Sequence, residues 1–138
     1  MGLLRTTVLG LALVGVATIA QARQYAVAGE TVSEQLYIEV RSVRTNGDVR
    51  SAWTTNIFKA DTTLGANRVA AVQTHHSFDC KAGTSRADYA THFNAQGAPV
   101  FDGEVKIDWS KVPAGSNAEK ALRLVCGRTP WPAATVSG

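Results

Sequence analysis

Two cysteines, Cys80 and Cys126, constrain this chain more than any other feature, because the second ends the segment with the clearest helical periodicity. Within residues 113–127, Ser116 and Glu119 have the spacing of a capping box. The Ser116 hydroxyl would accept from the Glu119 N–H while the Glu119 carboxylate returns to the Ser116 N–H. Ala118, Ala121, Leu122 and Val125 then fall at i, i+3, i+4 and i+7, a single stripe suited to burial. Arg123 suits the negative end of the helix, and Gly127 supplies a left-handed residue to close it. A Cys80–Cys126 disulfide, joining residues 46 apart, would pin this helix to the rest of the domain. The competing readings are two buried thiols or metal ligands, and the lack of paired cysteine spacing argues against zinc.

The first 22 residues read as an export signal. Arg5 gives a positive start, residues 8–20 form an apolar run, and Ala20-Gln21-Ala22 has the small-x-small pattern of a cleavage site. The expected cut lies between Ala22 and Arg23. A run of 13 residues is short for a spanning helix, which needs about 20. With no cysteine following the run, a lipid anchor is not expected either, so no stable membrane anchor remains after cleavage. The mature chain, residues 23–138, is the length of one domain, with a core at about 35–127 and an extended tail at 128–138. Export to the periplasm, cell surface or medium places both cysteines where a disulfide persists. The net charge of +3 is scattered, with no block of like charges, which resembles an ordinary solvated surface more than a nucleic-acid patch, and no nucleic-acid partner is expected.

The middle of the chain reads as strands. Leu36, Ile38 and Val40 alternate with Tyr37, Glu39 and Arg41, predicting a strand through Val43. Asn46-Gly47 predicts a tight hairpin, and residues 49–58 return with Val49, Trp53 and Ile57 on one face and Ala52 and Phe58 on the other. A loop at 61–67 leads to a third strand, 68–80, with Ala70, Val72, His76, Phe78 and Cys80 sharing a face. A fourth strand, 85–93, sets Ala87, Tyr89 and Phe93 together. Residues 100–109 carry one or two more, depending on whether Asp102-Gly103 turns. Short connections imply antiparallel pairing. The class is α+β: an antiparallel sheet of about five or six strands, with one C-terminal helix packed on it and tethered by the disulfide.

The order of these features carries a family resemblance. Tyr37-Ile38-Glu39-Val40, a hairpin with Val49-Arg50-Ser51-Ala52-Trp53, and Ser77-Phe78-Asp79-Cys80 come first. Arg86, Tyr89, Trp109, Pro113-Ala114-Gly115-Ser116, Glu119 and Val125-Cys126 follow. The chain resembles the surface-adhesin protein E family of small exported bacterial proteins. The resemblance implies a sheet packed on a disulfide-tethered helix, and display at the surface of Gram-negative cells with binding of host matrix proteins. No binding segment of that family is marked by a motif here.

Candidates for chemistry are few. His75-His76, with Asp79 or His92, invites a metal, but neighbours in a strand point to opposite faces. Ser77 and Ser85 lie near histidines without a nucleophile-elbow pattern. No catalytic residue, metal site or cofactor is therefore expected. Tyr37, Trp53, Tyr89, Trp109 and Trp131 are the remaining features. Most of them are expected in the core or as rim packing under the helix, with Trp131 either docked on a groove or free for a partner. Strand parity puts Tyr37 and Arg41 opposite Leu36 and Ile38, and these two are the binding residues expected here. The function expected is that of an exported, non-enzymatic binding protein, a surface adhesin for a host or extracellular macromolecule. A periplasmic accessory or structural envelope protein is the alternative.

Overall fold

The computed structural model describes residues 23–133 and 135–137. The expected export signal, residues 1–22, and the Ala22 side of its cleavage junction lie outside them. Strands β1 (Arg23–Glu30), β2 (Glu34–Glu39), β3 (Arg44–Asn46), β4 (Val49–Leu64), β5 (Asn67–Asp79), β6 (Thr84–Phe93), β7 (Pro99–Lys111) and β8 (Thr135–Ser137) join into one sheet. Its order is β7-β6-β5-β4-β2-β1-β8, every neighbouring pair antiparallel, with β3 also paired to β4. Helix α1 (Asn117–Val125) lies on one face.

Several boundaries differ from the sequence expectation, each for a local reason. The strand expected through Val43 stops at Glu39, and Val40–Ser42 forms a single 3-10 turn. Ser42 makes that break stable: its hydroxyl donates to the Glu39 carbonyl (2.7 Å) and accepts from the Trp53 N–H (2.9 Å). Arg41 therefore sits exposed on the turn rather than on a strand. The first hairpin turns on Gly47-Asp48, since Asn46 still pairs with Val49 and Gly47 carries the left-handed φ of +61° that a side chain resists. The expected loop at 61–67 is mostly strand: Thr62 pairs with Val69 and Leu64 with Asn67 across Gly65-Ala66. Asp102-Gly103 does not turn, so β7 is one strand of 13 residues. β1, which the sequence reading did not assign, adds to β2, and the tail returns as β8 along β1.

The core lies between α1 and one face of the sheet: Leu36, Ile38, Ala52 and Phe78 meet Ala121, Leu122, Leu124 and Val125. Burying each of the larger of these side chains contributes about 2–3 kcal/mol. Ala118 is only half-buried, while Leu124 and Asn117 are buried in addition to the expected stripe. Asn117 wedges against β1, its Nδ2 donating to Glu34 Oε1 (3.3 Å). A Cβ at Gly29 would lie 2.3 Å from Asn117 Oδ1, so the strand reaches the helix only because residue 29 lacks a side chain.

Both helix ends are closed locally. Ser116 Oγ accepts the Glu119 N–H at 3.2 Å, half of the expected box. The other half is absent, because the Ser116 N–H bonds the Pro113 carbonyl (3.3 Å) and the Glu119 carboxylate turns to Arg123 (3.8 Å). Ser116→Ala is expected to cost about 1 kcal/mol, read as a lower urea midpoint with an unchanged slope. At the other end Gly127 N–H bonds Leu124 and Arg128 N–H bonds Arg123, the two bonds of a Schellman closure. Arg50 Nη1 caps the Val125 carbonyl (2.9 Å), and the Arg128 guanidinium bonds the Cys80 carbonyl. The Cys80–Cys126 disulfide, with Cα atoms 5.7 Å apart, joins this end to the end of β5.

Candidate functional site

Directly paired residues share a face of a sheet, so the register assigns every side chain to the helix side or the open side. The row Trp53, His75, Tyr89, Glu104 crosses β4, β5, β6 and β7 on the side away from α1. Beside it runs Val27, Tyr37, Thr55, Gln73, Thr91, Asp102. Tyr25 lies on the same face, opposite Glu39. All three tyrosines of the chain and two of its three tryptophans are thus on the face that the helix leaves uncovered. The expectation that most aromatics pack beneath the helix is corrected here. The space under α1 is narrow, and β4 fills it with Ala52 and Thr54, which turns Trp53 outward. Tyr89 is turned outward by a bulge: Ala87 and Tyr89 are two residues apart but face opposite sides.

At the centre the rings meet at angles. Trp53 lies 5.1 Å from His75 at 52°, and 6.0 Å from Tyr89 at 73°, an edge-to-face arrangement. Asp88, in the bulge, meets His75 Nδ1 at 2.7 Å. Asp102 accepts the Thr91 hydroxyl (2.7 Å), and its hydrogen bond to Tyr89, burial of the ring and the nearby Glu104 charge raise the Tyr89 pKa. Tyr89 therefore stays a protonated phenol, a hydrogen-bond donor with a carboxylate rim. To one side the Arg86 guanidinium lies 4.9 Å over the Trp109 ring.

The other residues singled out from sequence are dispersed. Tyr37 is half-buried at the edge of the aromatic face, its hydroxyl donating to Gln35 Oε1 (2.7 Å). Arg41 lies on the 3-10 turn beyond the end of β2. His76 points to the helix side and stacks on Phe78 at 5.8 Å. His92 packs against Phe101 (4.9 Å), and the Asp79 carboxylate accepts the N–H groups of Lys81 and Ala82 in a turn. Ser77 is buried, in register with Ser51 and Arg86. Among the described residues, no cluster of three His, Cys, Asp or Glu could hold a metal ion.

The structure is thus a small α+β domain with a stapled helix on one face of its sheet and an aromatic, carboxylate-rimmed opposite face. The chain belongs to the surface-adhesin protein E family, whose profile matches residues 25–127. No curated protein and no solved structure matches it. Among the described residues no helix is long and apolar enough to cross a membrane.

Proposed function

We propose that this protein is an exported, non-enzymatic adhesin that holds a host or extracellular macromolecule on the open face of its sheet. The observation that carries this reading is the segregation of the tyrosines, Trp53 and Trp109 to the face opposite α1. A chain that needed those rings only for stability would bury them in its core, where burial contributes most. Amphipathic rings with a phenol donor, a guanidinium and carboxylates at their margins are the composition of protein-binding patches. The disulfide and the helix hold this face in one shape before a partner arrives, which reduces the ordering cost of binding. Family membership supports the adhesin role, and Tyr37 extends the same face onto β2, with Arg41 on the turn beyond that strand.

The test is binding of the purified, oxidised protein to a panel of immobilised host matrix proteins and envelope components. Trp53→Ala with Tyr89→Ala is expected to weaken the tightest interaction by roughly tenfold or more, as loss of central aromatic anchors does. Tyr37→Ala with Arg41→Ala should give a smaller loss. Full binding by a folded Trp53→Ala, Tyr89→Ala variant would place the contact elsewhere. Strictly periplasmic recovery on cell fractionation would favour an accessory envelope role.

A further inference from the structure

The sheet ends at β7, which pairs with β6 on one side and, among the described residues, with nothing on the other. Such an edge is a row of unpaired N–H and C=O groups, and proteins usually guard it with lysine, proline, bulges or a covering element. Here Pro99 and Lys111 stand at the two ends. From Phe101 to Glu104 the ladder with β6 is regular, four consecutive pairs with His92, Thr91, Ala90 and Tyr89, and Ile107 resumes it opposite Ala87. A bulge at Asp88 separates the Glu104 and Ile107 pairs, so the regular, accessible template is 101–104, with Ile107 beyond the bulge.

Its two rows of side chains differ in chemistry. On the open face of the sheet stand Asp102 and Glu104, both exposed, followed by Lys106. On the helix side stand Phe101, 39% exposed and leaning over Gly103, and Ile107, 58% exposed. An incoming strand would set alternate side chains against a carboxylate row and an apolar row. We infer that the β7 edge is a strand-addition site for an extended polypeptide segment in which basic and apolar residues alternate.

In the register centred on Val105, a second copy of the chain satisfies this edge less well. Antiparallel self-pairing about Val105 sets Glu104 against Lys106, but it also sets Asp102 against Asp108, a like-charge pair that destabilises a ladder. Moreover Ile107 and Ser110 both pair to the helix side, so an extra residue intervenes, and Trp109 turns to the open face over Arg86. Phe101 would then have no aromatic partner on its own side. This site shares the Asp102 and Glu104 carboxylates with the rim of the aromatic face but takes its ligand along the β7 edge rather than over the rings.

The experiment uses the full oxidised protein and a short synthetic peptide alternating lysine with valine. Three controls accompany it: the same residues in two blocks, the alternating peptide N-methylated at every second residue, and an alternating glutamate–valine peptide. The lysine–valine peptide is expected to bind roughly tenfold or more tightly than each control and to protect amides of residues 101–107 from hydrogen exchange. Asp102→Lys with Glu104→Lys should move the preference to the glutamate–valine peptide, whereas Trp53→Ala should leave peptide binding unchanged. Equal binding of the block or N-methylated peptide overturns the proposal, and so does protection elsewhere in the chain. Concentration-dependent dimerisation that protects 101–107 without peptide also overturns it, giving the edge to a second copy. If the charge-reversed variant does not fold, the N-methylation comparison on the unmodified protein decides.

Discussion

Replacing Cys80 and Cys126 together by serine is expected to lower the unfolding free energy by about 4 kcal/mol, the loop-closure entropy of a cross-link of this span. The bond joins residues 46 apart, the last turn of α1 to the end of β5. Against the roughly 5–15 kcal/mol that stabilises an ordinary domain, that is about a quarter or more of the total. The effect is concentrated at the helix, because α1 has nine residues, too few to persist in water without docking. Without the bond, its C-terminal end is held to the sheet, among the described residues, by the Arg50 and Arg128 hydrogen bonds and the packing of Leu122, Leu124 and Val125. Urea unfolding should show a lower midpoint for the serine variant, and reductant should move the parent protein toward that midpoint while leaving the variant unchanged. Amides near the end of α1 should exchange earlier than those of β4 and β5. A parent protein indifferent to reductant would show that the cross-link contributes no stability.

The architecture was legible where the burial pattern has a period and hidden where small residues carry the packing. Leu36 and Ile38, the alternation through β5 to Phe78, and the stripe of α1 are large side chains at regular spacing, and each led to the right element. β1 left no such trace. The residues it buries against the helix side are Ala26 and Ala28, with Gly29 passing under Asn117, and alanine and glycine are weak strand signals. The break after Glu39 was equally silent, since Ser42 looks like any polar residue until its hydroxyl is seen to bond Trp53 N–H in place of a ladder carbonyl.

The expectation that the aromatics pack under the helix fails for the same reason, followed one step further. Assigning the larger residue of each alternating pair to the interior puts Trp53 inside and Ala52 outside, the reverse of what the helix permits. Parity groups Tyr89 with Ala87, and a bulge at Asp88 is invisible to parity. One signal was available: Tyr37 alternates with Leu36 and Ile38, which fixes the open face in β2, and carrying that face across short hairpins reaches Trp53 and His75. Fold class thus follows from pattern, while the character of the open face depends on register, which turn chemistry sets to a single residue.

His76 is expected to make the protein acid-sensitive in a defined window. It stands on the helix side of β5, stacked on Phe78, with Nδ1 buried and without a hydrogen-bond partner among the described residues. It lines a cavity of about 160 Å³ with Glu34, Asn56 and Asn117 between the start of α1 and the sheet. Burial, and then the neighbouring His75 charge, push its pKa down from 6.5 to about 4. The unfolded chain therefore binds a proton more readily than the folded one between these values. Stability is full above pH about 6.5, declines as pH falls toward 4, and levels off below it. The displacement corresponds to a loss of about 3 kcal/mol once His76 is protonated. Carboxylates titrate in the lower part of this range, so the measurement is a difference: urea unfolding from pH 7.5 to 3.5 for the parent and for His76→Gln. The two stability curves should converge by about 3 kcal/mol on acidification, since glutamine keeps a polar side chain and removes the titrating ring. Parallel curves would show that His76 takes up its proton as easily in the folded protein as in the unfolded chain.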